Sequence, residues 1–261
     1  MNRVSQSFSW WCFANRGVEP DALLAGAAKI GYKGVDLIGE ALWPNAQRHG
    51  LAITAVEGHA SISEGLNRSE NAARIEKELL ANIAKARQWK IPMLICFSGD
   101  RHTASDEAGL DQCAQTLRRV TPAAVESGVI LAVELLNSKV DHSKYQCDHT
   151  AWGVELCRRV DSPALKLLYD IYHMQIMEGD IIRTIQSQNE FFAHYHTAGN
   201  PGRGQPDDAQ ELNYPAIYRA IVKTGYNGFI SHEFLPKGDP LDALQKAFRA
   251  CDAVLKEAPP A

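Results

Sequence analysis

The chain has 261 residues, of which 45% are hydrophobic and 22% are charged, the composition of an ordinary globular protein. Its formal net charge is −4, whereas a dedicated nucleic-acid-binding domain usually carries a basic excess. No apolar run approaches the roughly 18 residues that a membrane-spanning helix requires. We therefore expect neither nucleic acid nor a membrane among its partners.

The N-terminal segment, residues 1–6, leads directly into strand-like sequence and lacks the apolar core of a secretory signal peptide. The 6 cysteines are scattered along the chain without a C-x-x-C pair, which is typical of reduced thiols in a cytosolic enzyme. These features predict a cytoplasmic protein whose cysteines are mostly buried.

Short apolar runs alternate with amphipathic stretches along the whole chain. The runs are typical of parallel strands covered on both faces, and the stretches between them are typical of helices. Several helices are expected to start at acidic, hydroxyl or proline residues, as at Pro20, Ser69 and Asp106. The predicted strands are 4–11, 34–37, 52–56, 93–97, 129–135, 165–169, 192–196 and 229–232.

Eight strand–helix units in strict alternation predict a parallel sheet that closes into a barrel. The length is also close to the roughly 250 residues of a complete (β/α)8 barrel. A doubly wound open sheet, the other α/β architecture considered, usually carries a glycine-rich turn after its first strand, and the sequence has none there. We therefore expect residues 1–261 to form a single (β/α)8 (TIM) barrel domain, with the long loop from Thr197 to Asn213 on its catalytic face.

Four consecutive predicted strands end in residues that a buried strand would otherwise avoid. They supply Glu134, Asp170, His196 and Glu233 at the end where a barrel places its active site. A carboxylate in an apolar strand is costly unless it is paired or binds a metal, and any one of these could be a structural ion-pair partner. Together, three carboxylates and one imidazole suit a divalent cation such as Mg²⁺, Mn²⁺ or Co²⁺.

Further histidines lie close to these residues in the sequence. His194 and His196 are two residues apart and therefore share one face of their strand. His194 alone is typical of a hydrogen-bonded core residue. His232 alternates with Glu233, so we expect it to point outward.

A divalent cation at this site would polarise a carbonyl and stabilise the enediolate that forms when a neighbouring C–H proton leaves. Glu134 and Glu233 could remove that proton and return it elsewhere, which makes both candidate catalytic residues. His173 and Arg203 are candidates for binding substrate oxygens, and Arg203 could pair with a substrate carboxylate. The alternatives are a histidine that stabilises a turn and a solvated loop arginine.

Two segments carry a resemblance to a known family. They are residues 168–180, LYDIYHMQIMEGD, and residues 199–206, GNPGRGQP, the latter followed by ELNY at 211–214. Over residues 129–233 the chain resembles the hydroxypyruvate isomerase family of the xylose-isomerase-like barrel superfamily. The resemblance implies an isomerase in which Glu134 and Glu233 are metal-linked acid/base residues, while Asp170 and His196 complete the coordination. The implied substrate is a small 2-oxo or hydroxy acid.

The sequence departs from that family in two places. His196 stands where hydroxypyruvate isomerases usually carry glutamine, and a Glu–Asp–His–Glu set resembles the ketose 3-epimerases, which also share the Asp-x-x-His of Asp170 and His173. Residues 231–236, SHEFLP, replace the usual glutamate-tyrosine-lysine-proline ending. A ketose 3-epimerase acting on a free sugar is therefore the alternative function.

Two further functions are less well supported. An endonuclease of the same superfamily would need more histidines and a basic groove, and a non-catalytic sugar-binding barrel would not need both glutamates. The resemblance leaves a homo-oligomer open.

Overall fold

The computed structural model describes residues 4–101 and 105–257. Within these ranges, eight strands follow one another in chain order around a closed parallel barrel, which confirms the predicted fold class. Their bounds are β1 Ser5–Ser9, β2 Gly34–Asp36, β3 Ala52–Glu57, β4 Met93–Cys96, β5 Ile130–Glu134, β6 Leu165–Asp170, β7 Phe192–Thr197 and β8 Phe229–His232.

Helices lie between the strands and after the last one, as the alternation predicts. They are α1 Trp10–Phe13, α2 Pro20–Ile30, α3 Trp43–Arg48, α4 Ser69–Trp89, α5 Asp106–Ser127, α6 Thr150–Val160, α7 Ile171–Met177, α8 Ile181–Gln188, α9 Tyr214–Lys223 and α10 Pro240–Glu257, with short 3-10 helices at Glu40–Leu42 and Asn189–Phe191. None of the helices in the described ranges is both long enough and apolar enough to cross a membrane.

The first strand is shorter than predicted. It was expected to continue through residue 11, but it ends at Ser9 because Trp10–Phe13 form the single-turn helix α1. The other predicted strands agree with the structure to within one residue at each end. Residues 1–3, on which part of the signal-peptide argument rests, lie outside the described residues.

Helix ends follow local chemistry. Pro20 occupies the first turn of α2, where its missing N–H is no loss. The Ser105 hydroxyl accepts a hydrogen bond from the N–H of Ala108 at 3.2 Å and caps α5. Gly31 ends α2 with a φ of 127°, a conformation that glycine adopts without the steric cost of a Cβ atom. The chain can therefore turn directly from α2 into β2.

One compact unit comprises, within the described residues, 4–54, 180–189 and 194–257. In this unit β1 pairs with β2 and with β8, so that Phe8 is aligned with Val35 on one side and His232 on the other. The Phe8 ring packs edge-on against Phe13 and Tyr32, with centroids 5.8 and 5.4 Å apart. These contacts fix the carboxyl end of β1 beside the ends of β2 and β8.

The second compact unit comprises, among the residues that the structure describes, 55–101, 105–179 and 190–193. Its strands β4, β5 and β6 pair in parallel, with Ile95 aligned to Ala132 and Glu134 aligned to Leu168. The central residues of these strands are fully buried, as expected for a parallel sheet covered on both faces. This register places Glu134, at the end of β5, beside the last residues of β6, which ends at Asp170.

Candidate functional site

The predicted metal ligands lie at the carboxyl ends of four consecutive strands. Glu134 and Asp170 are the last residues of β5 and β6, His196 is the penultimate residue of β7, and Glu233 directly follows β8. All four are buried, with at most 5% of any residue exposed. One ligand atom from each lies within 4.8 Å of the others. The structure therefore brings the four side chains together, and their role as ligands stays a prediction.

Glu233 accepts hydrogen bonds on both carboxylate oxygens. Ser9 Oγ and Trp11 Nε1 each donate to Oε1 at 2.8 Å, and Nη2 of Arg203 donates to Oε2 at 2.5 Å. Burial alone would raise the pKa of this carboxyl group, but the neighbouring His196 and Arg203 outweigh burial and hold the pKa well below its usual value. Glu233 is therefore ionised at neutral pH.

His196 lies between two carboxylates. Its Nδ1 is 3.0 Å from Oε2 of Glu233, and its Nε2 is 3.2 Å from Oδ2 of Asp36. A neutral imidazole carries one ring proton, so only one of these two nitrogens can donate a hydrogen bond. The other presents a lone pair to a carboxylate, an arrangement that favours a cation beside it.

Asp36 is the last residue of β2 and is fully buried. The Thr54 hydroxyl donates to Oδ1, and His194 Nε2 lies 2.5 Å from Oδ2. Burial by itself would raise the pKa of the Asp36 carboxyl group, but His194 and His196 together lower it by more than burial raises it, so the net pKa is below its ordinary value. His194 is thus a hydrogen-bonded core residue, as its position in the sequence indicates.

His173 lies in the first turn of α7, and its hydrogen bonds define its tautomer. Asp170 caps this helix, because its Oδ1 accepts from the N–H groups of Tyr172 at 2.9 Å and His173 at 3.2 Å. The N–H of Asn137 donates to Nδ1 of His173 at 3.1 Å. The ring proton is therefore on Nε2, which lies 3.6 Å from Oδ2 of Asp170.

Arg203 is held by its surroundings in the loop after β7. Its Cζ lies 5.2 Å from the centroid of the Trp11 ring, within the range of a cation–π contact. Only 15% of its side chain is exposed, and its carbonyl accepts a hydrogen bond from the N–H of Leu235 at 2.8 Å. Arg203 is therefore not a freely solvated loop arginine.

Comparison with models of known protein families identifies the family of this chain. The sequence model described as "Xylose isomerase-like TIM barrel" matches residues 24–254. The chain belongs to this family. The match includes all four predicted ligands and both predicted substrate-binding residues.

Curated relatives of this xylose isomerase-like barrel are isomerases. The hydroxypyruvate isomerase of Escherichia coli is 31% identical over 123 residues, which are 47% of each chain. The 2-oxo-tetronate isomerase of Pectobacterium atrosepticum is 26% identical over 218 residues, or 80% of this chain and 79% of that protein. The family resemblance found in the sequence is therefore confirmed.

Solved structures with the same fold include proteins named as an endonuclease and as an epimerase. An AP endonuclease of family 2 from Brucella melitensis has a TM-score of 0.82 and 24% identity, covering 94% of this chain and 97% of its own. An L-ribulose 3-epimerase has a TM-score of 0.81 and 18% identity, covering 97% and 95%. At these identities the matches show the fold alone.

The donor set of this xylose isomerase-like barrel fits a divalent cation. Glu134, Asp170 and Glu233 supply hard carboxylate oxygens, and His196 supplies a borderline nitrogen. Buried carboxylates this close together repel one another unless positive charge lies among them. Within the described residues, potential metal-binding clusters are thus present, and the chemistry of the donors favours a cation at the four-residue group.

Sequence reasoning missed the residues that surround His196 and Glu233. Ser9 and Asp36 end strands β1 and β2, and neither was singled out, because a lone serine or aspartate at a strand end has no distinctive pattern. The position of these residues at carboxyl ends of predicted strands was the only available signal.

His232 is fully buried, with its ring nitrogens 2.9 Å from Gln6 Oε1 and Thr197 Oγ1.

Proposed function

We propose that the chain is a metal-dependent isomerase that interconverts a small 2-oxo or hydroxy acid and its aldehyde isomer, such as hydroxypyruvate and tartronate semialdehyde. The observation that carries this proposal is the buried group of Glu134, Asp170, His196 and Glu233, whose ligand atoms lie within 4.8 Å of one another. The names of the curated relatives, hydroxypyruvate isomerase and 2-oxo-tetronate isomerase, support this substrate class.

Under this proposal the four residues bind one Mg²⁺, Mn²⁺ or Co²⁺ ion. Three oxygen ligands and one imidazole suit these hard or borderline ions better than they suit an ion that prefers thiolates. The bound ion would polarise the substrate carbonyl and stabilise the negative charge of the enediolate.

Glu134 and Glu233 are the proposed acid/base pair. One carboxylate takes the proton from the carbon that bears the substrate hydroxyl, and the C–H electron pair becomes the double bond of the enediolate. A proton then returns to the former carbonyl carbon, while the hydroxyl proton passes to the former carbonyl oxygen. Glu233 starts as the ionised form that a base requires, because Ser9, Trp11 and Arg203 donate hydrogen bonds to it.

His173 and Arg203 are proposed to bind the substrate. The Nε2–H of His173 is fixed as a donor by the hydrogen bond from Asn137 to Nδ1, so it can donate to a substrate oxygen. A guanidinium carries five N–H donors in a planar fork, enough to serve Glu233 and a substrate carboxylate together. Arg203 would thus select substrates that carry a carboxylate.

A ketose 3-epimerase acting on a free sugar is the second candidate. The observation that favours it is the imidazole of His196 in the four-residue group, where hydroxypyruvate isomerases usually carry glutamine. The same acid/base pair would then return the proton to the opposite face of the carbon that lost it. The fold match to an AP endonuclease carries no function at 24% identity, and a net charge of −4 does not favour a nucleic-acid substrate.

Proton NMR in D2O would test the proposal. Metal-stripped protein is supplied with Mg²⁺ or Co²⁺ and mixed in turn with hydroxypyruvate, 2-oxo-tetronates and four- to six-carbon ketoses. Metal-dependent deuterium uptake and aldehyde formation from a 2-oxo acid are expected. Deuterium uptake at C3 of a ketose, without activity on acids, would establish the epimerase instead.

Two variants complete this experiment. Glu134→Gln is expected to abolish exchange, whereas Glu126→Gln, at an exposed position near the end of α5, is expected to leave exchange unchanged. Absence of exchange with every compound, in protein that binds the metal tightly, would reject both enediolate functions.

Location and assembly stay predictions. The 6 cysteines are all free and buried, which supports the proposed cytoplasmic location. Cell fractionation would test the location, and sedimentation velocity would test whether the chain forms the homo-oligomer that the resemblance left open.

A further inference from the structure

Asp36 lies outside the four proposed metal ligands but contacts one of them. Its Oδ2 is 3.2 Å from Nε2 of His196 and 2.5 Å from Nε2 of His194, while its Oδ1 accepts the hydroxyl hydrogen of Thr54. All of these side chains are buried. A buried carboxylate that faces three donors is an acceptor for each of them.

We propose that Asp36 is a positioning residue that fixes the tautomer of His196. Glu233 is also a carboxylate, so without a cation either ring nitrogen of His196 can carry the proton. When a cation takes the lone pair of Nδ1, the ring proton must lie on Nε2, where the Asp36 carboxylate accepts it. The lone pair is then on Nδ1, the nitrogen 3.0 Å from Oε2 of Glu233. Asp36 thereby directs Nδ1 to the metal. This inference rests on the proposed metal centre.

His194 and Thr54 hold Asp36 in this orientation. His194 donates to the same oxygen as His196, and Thr54 donates to the other oxygen. The two histidines lie on one face of β7, with ring centroids 5.2 Å apart, and both reach the same oxygen of Asp36. A carboxylate restrained on both oxygens cannot rotate away from His196.

The histidine at position 196 creates the need for this partner. A glutamine ligand would coordinate through its amide oxygen and has no ring tautomer to select. An imidazole ligand in a buried site must have an acceptor for its second nitrogen, and partners of this kind typically change metal affinity 10–100-fold. Asp36 should therefore matter only while residue 196 is a histidine.

A second explanation of the same geometry is an additional metal site. Asp36, His194 and His196 also offer ligand atoms within 4.8 Å of one another. If they bound an ion themselves, the protein would hold two ions per chain. Our proposal requires one ion, with Asp36 engaged by hydrogen bonds.

The tautomer can be measured in the wild-type protein saturated with Mg²⁺, which is diamagnetic. Long-range ¹⁵N–¹H NMR, with the His196 signals assigned from a His196→Gln variant, should show the proton on Nε2. A proton on Nδ1 would reject the proposal, whatever the reaction of the enzyme is. This measurement needs no Asp36 variant and therefore does not depend on whether such a variant folds.

Metal affinity is the second measurement, made by calorimetric titration of the full chain with Mn²⁺. Asp36→Ala should weaken Mn²⁺ binding roughly 10–100-fold, and Asp36→Asn, whose amide oxygen can still accept, should restore part of the loss. In the His196→Gln background, Asp36→Ala should change the affinity by less than about 3-fold, which is the non-additivity expected of residues that act through one another.

The control is Asp148→Asn. Asp148 is a buried carboxylate too, but it pairs with Arg101 at 2.8 Å, so this variant should lower stability without weakening Mn²⁺ binding. Equal losses from Asp36→Ala in both backgrounds, or two Mn²⁺ ions per wild-type chain, would overturn the proposal. Failure of the wild-type protein to bind Mn²⁺ would instead reject the metal centre.

Discussion

The indole N–H of Trp11 donates a hydrogen bond to Oε1 of Glu233 at 2.8 Å, although 44% of the Trp11 residue is exposed. A core tryptophan would bury its ring. The ring of Trp11 is partly exposed, and its indole N–H contacts Glu233. Trp11 therefore contacts Glu233 from a position that is partly exposed to solvent. The Arg203 guanidinium, which also donates to Glu233, lies over the same ring.

Trp11→Phe should lower kcat/KM about 10-fold, because one hydrogen bond to a charged group contributes about 1.5 kcal/mol near solvent. The aromatic ring, and with it the contact to Arg203, remains. Trp11→Ala removes both and should cost more. The measurement is steady-state kinetics with the substrate found by NMR. Unchanged kcat/KM in Trp11→Ala would show that Glu233 needs no support from this residue.

Glu134→Gln and Glu233→Gln should each abolish measurable turnover. General acid–base groups typically contribute about 10²–10⁴-fold, and each glutamine also removes one carboxylate from the proposed metal-binding group. Deuterium exchange at the substrate carbon is the most direct assay, with the exposed-site variant Glu126→Gln as control. Activity close to wild type in either variant would remove that glutamate from the acid/base pair.

Asp170→Asn should act mainly on metal binding. Asp170 lies within the four-residue group and also caps α7, and an amide oxygen can replace the capping oxygen but is a weaker metal ligand than a carboxylate. Mn²⁺ affinity should fall at least 10-fold, while turnover at saturating metal recovers in part. Asp161→Asn, at an exposed left-handed position after α6, is the matched control and should change neither quantity.

The four proposed ligands could be predicted because their chemistry conflicts with their local sequence. Glu134 ends an apolar strand, and the same conflict recurs at the next three strand ends. Once the alternation of strands and helices predicted a barrel, all four were expected at one end of it. The prediction of the four residues therefore needed both the polar residues at the strand ends and the rule that a barrel places its active site at the carboxyl ends of its strands.

Asp36 could not be predicted in the same way. It is the last residue of a three-residue strand, and its partners Thr54, His194 and His196 are 18, 158 and 160 positions away in the chain. The spacing of the two histidines shows that they share a face, but it does not show what lies opposite them. Only the folded structure shows that Asp36, at the end of β2, lies opposite the two histidines of β7.

The prediction that β1 continues to residue 11 was wrong for a related reason. Residues 4–11 were predicted to form one strand, yet α1 begins at Trp10. A single helical turn is too short to show a helical period in the sequence. With the strand ending at Ser9, the hydroxyl of Ser9 and the indole of Trp11, in α1, donate to the same oxygen of Glu233.

Arg203→Met should separate the two candidate functions. If Arg203 binds a substrate carboxylate, the variant should raise KM for 2-oxo acids by about 10-fold or more, since charge-assisted hydrogen bonds contribute about 1.5–3 kcal/mol. A neutral ketose has no carboxylate, so its KM should change much less. Arg249→Met, at an exposed position on α10, is the control. An equal rise in KM for acids and ketoses would show that Arg203 acts only through Glu233.

His232 should make the stability of the fold depend on pH. Burial lowers the pKa of its imidazole from 6.5 to about 3. Between these values the unfolded chain binds a proton at His232 that the folded chain does not, so the free energy of unfolding falls as the pH is lowered through this window. Above pH 6.5 this contribution is fully present. One proton corresponds to at most about 1.4 kcal/mol per pH unit.

The test is urea unfolding of the wild-type protein and His232→Gln at several pH values from 7.5 to 4.5. The variant should be less stable at pH 7.5, since Gln6 and Thr197 lose their present partner, but its stability should fall less steeply as the pH is lowered. The difference in slope between the two proteins is informative even if the absolute stability drops, because the other titrating groups contribute to both slopes. His49→Gln, which replaces a histidine at the surface, controls for the loss of any imidazole. Identical slopes in the wild type and His232→Gln would mean that His232 accepts a proton in the folded protein, against the effect of its burial.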